Sequence, residues 1–273
     1  TAFPLNDQPY ASLFKIYQKE FLDVSVEKGL IHKDSLALAG DGTPVVTSHR
    51  ERKKRICKCK ENGINDCSCD RYFSQPDCDI GWDSSRDCFY HGYDLYMLVD
   101  SQSDLPVFPH YSYASKHDSH GFLQAFFRMR AFLPDYKVSK VLLDSAHDAM
   151  PYYQYFKRQN ITPFIDLNGK GGRPPVYKND FTIDKDGVPV CPSGHRMRRD
   201  GIEVAKGRMK FKCPKISHTG GCISCTCDKP CSKAKYGRTV HLILNDNPRL
   251  FNNPPRSSKE WKLEYNARTS AER

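Results

Sequence analysis

The chain has no long hydrophobic run: nothing in its 273 residues approaches the roughly 18 consecutive apolar residues of a membrane span. No positively charged start followed by an apolar stretch and a small-residue cleavage site opens it, so a secretory signal is not expected. No internal repeat is visible, which argues against a solenoid or propeller. The chain starts at Thr1 and stops at Arg273 inside a predicted helix, and the expectation is a fragment of a longer protein. Acids are scarce in two segments. Residues 48–60 hold seven Lys/Arg and one acid, and residues 168–240 hold sixteen Lys/Arg and six acids. The formal charge is +10, so these segments at +6 and +10 leave −6 for the rest. A mildly acidic body with two basic appendages suits a polyanion, because clustered Lys/Arg supply phosphate contacts.

What is present is enough apolar residue, 38%, for one large domain or two modest ones. Residues 1–34 are predicted to be partly helical, with Leu13, Tyr17, Phe21 and Val24 on one face. Ser35–Thr47 reads as a core strand that carries Asp41. Residues 48–89 read as a polar, Cys-containing insertion, too long for an idle loop in a compact domain. Tyr90–Asp100 and Leu105–Tyr113 alternate and predict a hairpin. Residues 119–133 predict a helix with Phe122, Ala125, Phe126 and Met129 inward. A buried strand, Lys137–Asp144, ends in an acid; a helix at 148–159 and a short strand at 161–166 follow. Residues 167–240 read as a basic, Cys-rich, core-poor insertion, with His241–Leu244 a strand inside it or at its exit. Ser257 or Ser258 caps a last helix reaching Arg273. This order predicts an α/β fold, a mixed sheet flanked by helices, with Cys-rich insertions.

Three acids stand out by position: Asp41 on the first strand, Asp144 at the end of a later one, and Glu272 on the last helix. A carboxylate beside buried strands is costly unless it is paired or binds a cation, and Mg²⁺ prefers such oxygens. On the last helix Trp261, Tyr265, Arg268 and Glu272 share one face at α-helical spacing. For His147 and Asp148, packing and helix capping are expected ahead of catalysis.

Twelve cysteines fall mostly into two clusters. The first is Cys57-x-Cys59 with Cys67-x-Cys69. The second is Cys191, Cys213, Cys222, Cys225, Cys227 and Cys231, where Cys222-x2-Cys225 has the spacing favoured by structural zinc. Spacing and the missing signal favour metal-binding thiolates over disulfides. The second cluster is the better zinc candidate on this ground.

Tyr265-x2-Arg268-x3-Glu272 resembles the Tyr-x2-Arg-x3-Glu-x6-Lys signature of DDE transposases from bacterial insertion sequences; the Lys of that pattern falls beyond Arg273. Ala39-Gly-Asp-Gly-Thr-Pro44 is similar to the family's first-Asp motif, and Val141-Leu-Leu-Asp-Ser-Ala-His-Asp148 to its second. Gly92–Asp100 is similar to the hairpin between them. The resemblance runs from about residue 35 to the end, outside parts of the insertions. It implies a ribonuclease-H-like catalytic domain over 35–273, interrupted by the insertions, in which Asp41, Asp144 and Glu272 bind Mg²⁺ or Mn²⁺, two ions in all. Tyr265 and Arg268 then support Glu272 and contact DNA. The implied activity is metal-dependent cleavage at transposon ends and strand transfer into target DNA. It would be carried out by a homo-oligomer in the bacterial cytoplasm at the nucleoid, with no membrane partner. Arg50, Arg52, Lys53, Lys54, Arg55, Arg196, Arg198 and Arg199 are the expected phosphate contacts. Two alternatives stay open: a non-catalytic DNA-binding remnant of a transposase, and a ribonuclease-H-like nuclease that hydrolyses without joining.

Overall fold

The computed structural model describes residues 10–47, 54–55, 57–69, 71–72, 78–168, 176–177, 181–184, 186–219, 222–228 and 230–272. Its fold is mixed α/β, with a mixed sheet flanked by helices. The chain divides into two units, residues 1–140 with 268–273, and residues 141–267. No helix of the described residues is long and apolar enough to cross a membrane.

The first unit opens with helix α1 (Tyr10–Tyr17), a wider π-type turn over Gln18–Leu22 and helix α2 (Asp23–Glu27). The buried face here is Ala11, Phe14, Leu22 and Ser25, whereas Leu13 is exposed. This differs from the predicted stripe: within α1 the inward side is that of Ala11 and Phe14, one residue round from Leu13. Phe14 packs tilted against Phe108 and edge-on against Phe132, with ring centroids 4.8 and 5.2 Å away, and the Tyr10 hydroxyl donates to the Pro109 carbonyl at 2.7 Å. Each such ring pair contributes about 0.5–1.5 kcal/mol beyond its burial.

Strand β1 (Leu36–Val46) starts with five buried residues in succession, Leu36 to Gly40, as a strand covered on both faces requires. A two-residue ladder of β2 (Lys54–Arg55) and β3 (Arg71–Tyr72) follows. Strands β4 (Asp79–Asp83), β5 (Cys88–Asp100) and β6 (Leu105–Tyr113) complete an antiparallel group in which β5 pairs with β4, β1 and β6. The segment composed like an insertion therefore contributes a strand, β4, to the main sheet. On β5 the even-numbered residues Tyr90, Gly92, Asp94, Tyr96 and Leu98 all face inward. Helix α3 (Asp118–Phe132) covers that face with Phe122, Ala125, Phe126 and Met129. Tyr96 is fully buried between two glycines: a Cβ on Gly40 would lie 2.8 Å from its ring and one on Gly121 3.0 Å. The imidazole of His117 caps α3, accepting from the Ser119 N–H at 3.2 Å. Strand β7 (Val138–Leu143) begins in this unit beside β1, where Leu36 N–H donates to the Lys137 carbonyl at 2.8 Å.

In the second unit the remainder of β7 neighbours β8 (Thr162–Ile165), with helix α4 (Met150–Arg158) between them in sequence. The basic segment then folds as small sheets: β9 (Val176–Tyr177), β10 (Phe181–Ile183) and β11 (Pro189–Val190) form one. Strands β12 (Arg198–Glu203), β13 (Arg208–Lys212) and β16 (Thr239–Ile243) form another, and β14 (Ile216–Thr219) pairs with β15 (Cys222–Cys225). Contrary to the core-poor expectation, this segment has its own core. Phe181, Ile183, Val188, Met197, Met209, Phe211, Val240, Leu242, Leu250 and Phe251 form one buried cluster. Its apolar residues sit singly between charges on alternating strands, as in Arg208-Met-Lys-Phe-Lys212, so bulk polarity hides them. Helix α5 (Lys259–Asn266) is capped by Ser258, whose hydroxyl accepts from the Trp261 N–H at 3.1 Å.

Candidate active site and metal centre

Asp41 lies midway along β1, opposite Met97 of β5, and is half-buried. Its carboxylate accepts from the Gly42 N–H at 3.0 Å. Gly42 has no side chain for a reason of space: a Cβ there would sit 2.8 Å from Asp118 Oδ1 and 3.2 Å from both oxygens of Asp94. Two further carboxylates thus crowd the residue next to Asp41. Asp118 is in the first turn of α3, where the helix dipole favours an anion. Asp94 is 6% exposed, and its Oδ2 is buried with no hydrogen-bond partner. Burial, then the charges of Asp118 and Asp41, push its carboxyl up to about 7.

That shift fixes a pH dependence. The folded form holds a proton on Asp94 that the unfolded form releases above the ordinary value of 3.8. Stability therefore falls as pH rises between the two values, because there the unfolded chain binds fewer protons. Asp94→Asn removes the penalty, so its melting-temperature advantage over wild type is expected to be larger at about pH 8 than at about pH 4.5. Thermal unfolding of both proteins across that range checks this; an advantage that shrinks with rising pH contradicts it.

Asp144 follows β7 and caps the short 3-10 turn Ser145–His147, accepting from the Ala146 N–H at 3.0 Å. The same oxygen lies 2.6 Å from Nδ1 of His147. That ring is 1% exposed, while the Asp144 side chain is 38% exposed. A buried imidazole thus holds an accessible carboxylate in one orientation. Asp148 has a different role from the one expected. The α4 cap position is Ala149, with no side-chain cap, and Asp148 instead makes a buried ion pair with Arg249 at 2.6 Å.

The last helix also departs from expectation. Trp261 is buried and Tyr265 stacks on it at 4.5 Å. The α-helix stops at Asn266 and continues as a 3-10 turn over Ala267–Glu272. Arg268 and Glu272 therefore do not extend an α-helical stripe; they pair with each other at 2.6 Å. Asp41 and Glu272 belong to the first unit, Asp144 and Tyr265 to the second.

Of the expected phosphate contacts, Arg50, Arg52 and Lys53 lie outside the described residues. Lys54 and Arg55 form β2. Arg196 is committed to the second unit's own acids: it pairs with Asp184 at 2.6 Å and with Asp186. Arg198 and Arg199 are exposed on β12. Arg198 stands opposite Lys212, and with Lys210, Tyr236 and Thr239 it lines a concave polar surface. Asp200 accepts from Lys210 at 3.0 Å and Lys212 at 2.7 Å, which tempers that face's positive charge.

The thiols are arranged differently from the expectation that favoured the second cluster. Cys57, Cys59, Cys67 and Cys69 bring their sulfurs within 4.8 Å of one another and can hold a metal ion; among the described residues no other group of three or more His, Cys, Asp or Glu does so. Hydrogen bonds from the Cys59 backbone N–H and from Cys67 hold the Cys57 thiol down at about 7. In the second cluster Cys191 and Cys213 are buried, and Cys225, Cys227 and Cys231 are half-buried. Burial raises the Cys213 thiol, and Cys225, Cys231 and Cys191 are near enough to add to the effect. The Cys222 side chain lies outside the described residues.

Asp94 is the group that the sequence reading passed over. The period-two alternation of β5 was the available signal, since it puts Asp94 in the same inward row as Tyr96 and Leu98. No family model, no curated protein and no solved structure matches the chain.

Proposed function

We propose that the chain is the catalytic domain of a DDE-type transposase of the bacterial insertion-sequence kind, with a ribonuclease-H-like fold. It cleaves DNA at transposon ends and joins the freed 3′ end to target DNA, acting as a homo-oligomer in the cytoplasm at the nucleoid. The observation that carries this reading is the seating of Asp144. It ends an apolar strand, is oriented by a buried histidine and remains accessible. Ordinary strand-end acids in turns do not need a buried imidazole behind them. Asp41 on β1 and the Arg268–Glu272 pair, each inside its similar motif, add to the support.

In this reading Asp41, Asp144 and Glu272 hold two Mg²⁺ or Mn²⁺ ions. The donor chemistry fits: these are carboxylate oxygens, the donors that a hard cation prefers. Bound there, such ions supply Lewis-acid polarisation of a phosphodiester and a more acidic water. The rest falls to the chain. His147 fixes Asp144, and Arg268 both steadies Glu272 and neutralises a neighbouring phosphate. In the first step a water oxygen bonds to phosphorus as the bond to the 3′ oxygen breaks, and that oxygen leaves as a hydroxyl. In the second step the freed hydroxyl attacks a target phosphodiester in line, and a target 3′ oxygen leaves. Lys54, Arg55, Arg198 and Arg199 position DNA through its phosphates.

The test incubates the protein, carrying the whole C-terminal signature, with DNA bearing the element's terminal repeats, with Mg²⁺, Mn²⁺ or EDTA. Metal-dependent cleavage and joining are expected. Binding without cleavage in any metal would replace this reading by a DNA-binding remnant, and cleavage without joining by a nuclease.

A further inference from the structure

We propose that Cys57, Cys59, Cys67 and Cys69 bind one zinc ion as a tetrathiolate that closes the loop between β2 and β3. The site is independent of the acidic residues and of the transposase reading, and it is carried by the geometry of one hairpin.

Each arm contributes one Cys-x-Cys pair, Cys57 and Cys59 after β2, Cys67 and Cys69 before β3. Across the hairpin, Cys57 Sγ lies 3.4 Å from Cys67 Sγ, and Cys59 Sγ lies 3.6 Å from Cys69 Sγ. Every pair among the four is within 4.8 Å. A tetrahedron with Zn–S of about 2.3 Å has S···S edges of about 3.8 Å, so the four sulfurs already surround a volume of that size. Between the arms the backbone makes one tight turn. Ile64 N–H donates to the Cys59 carbonyl at 2.8 Å and Asn62 N–H to the Lys58 carbonyl at 3.2 Å. Gly63 supplies the left-handed backbone at φ +78° that lets the chain reverse.

Energetics argue for a bound ion as strongly as distances do. No residue from 57 to 69 is buried, and the one aliphatic side chain there, Ile64, is 51% exposed. The ladder at the base is two residues long. A hairpin of that size without a core is not stable in water, and hydrogen bonds between thiols are too weak to order it. Metal binding is what such a segment lacks, because ligation free energy becomes folding free energy where no site exists in the unfolded chain. Four thiolates select a soft or borderline ion such as zinc over Mg²⁺ or Ca²⁺. They leave the complex with a formal charge of −2, and the exposed Lys58 and Lys60, alternating with the cysteines on one arm, offset it.

The experiment compares the full chain with Cys59→Ser/Cys69→Ser, both purified without chelator, by elemental analysis and by cobalt substitution. The difference is what reads this site, because any zinc held by the second unit's cysteines is common to both proteins. The double variant is expected to hold one zinc fewer per chain and to lose part of the thiolate-to-cobalt absorption. A second measurement on wild type guards against a variant that does not fold: thiol alkylation followed by peptide mapping. The four cysteines should be protected until zinc is stripped, then react together. Equal zinc in both proteins, immediate alkylation of the four in untreated protein, or their recovery as disulfides would each overturn the assignment.

Discussion

Asp144→Ala is expected to lower both DNA cleavage and strand transfer at least about 10³-fold, since losing a metal ligand removes several kcal/mol of transition-state charge stabilisation and each 1.36 kcal/mol is tenfold in rate. Asp41→Ala and Glu272→Ala should fall as far. Arg268→Ala should fall less, because it removes a support for Glu272 and one phosphate contact while the ligands stay. All four variants should retain most of their DNA affinity, for which the basic residues of both units supply the phosphate contacts. The readouts are single-turnover cleavage, joining, and binding measured by mobility shift on the same DNA. Asp144→Ala also frees the His147 imidazole from its 2.6 Å partner, so a loss of folding has to be separated from a loss of chemistry. Asp144→Asn does that: it keeps a hydrogen-bonding oxygen for His147 and surrenders the charge. If Asp144→Asn cut and joined at the wild-type rate, the carboxylate would not be a metal ligand and the two-ion assignment would fail.

The strands and helices around these acids were legible wherever burial follows a simple period. Leu36 to Ala39 and Val141 to Leu143 are unbroken apolar runs, and Phe122, Ala125, Phe126 and Met129 repeat at helical spacing; all of them are buried. Legibility failed where local geometry changes the period. The 3-10 turn at Ala267–Glu272 ended the last helical stripe. It failed again where polar residues outnumber apolar ones on short strands, as in the core built by Met209, Phe211, Val240 and Leu242. For the cysteines, sequence spacing ranked the clusters by their local pairs. The hairpin instead joins positions ten residues apart, Cys57 with Cys67 and Cys59 with Cys69, a relation that local spacing does not weigh.

Asp148 shows the same limit with the largest consequence for stability. Its side chain is fully buried, yet it carries charge-assisted contacts on both oxygens. Arg249 Nε lies 2.9 Å from each oxygen, the Tyr153 hydroxyl donates at 2.9 Å, and the Asn168 N–H donates at 2.7 Å. The network continues: Arg256, itself 4% exposed, donates to the Tyr153 hydroxyl at 2.8 Å and to the carbonyls of Arg249 and Ile165 at 2.8 and 3.0 Å. Removing one partner of a buried pair leaves an uncompensated charge, which costs about 3–5 kcal/mol. Asp148→Ala is therefore expected to destabilise the second unit by that amount. Arg249→Ala should cost at least as much, because it strands the more deeply buried ion. Replacing both, Asp148→Ala with Arg249→Ala, should cost less than the sum of the two single changes, because neither charge is then left alone. Urea unfolding of wild type, the single variants and the double variant measures the coupling. Single-variant losses below about 1 kcal/mol, in the range of exposed pairs, or losses that simply add, would show that Asp148 and Arg249 do not act as a buried pair.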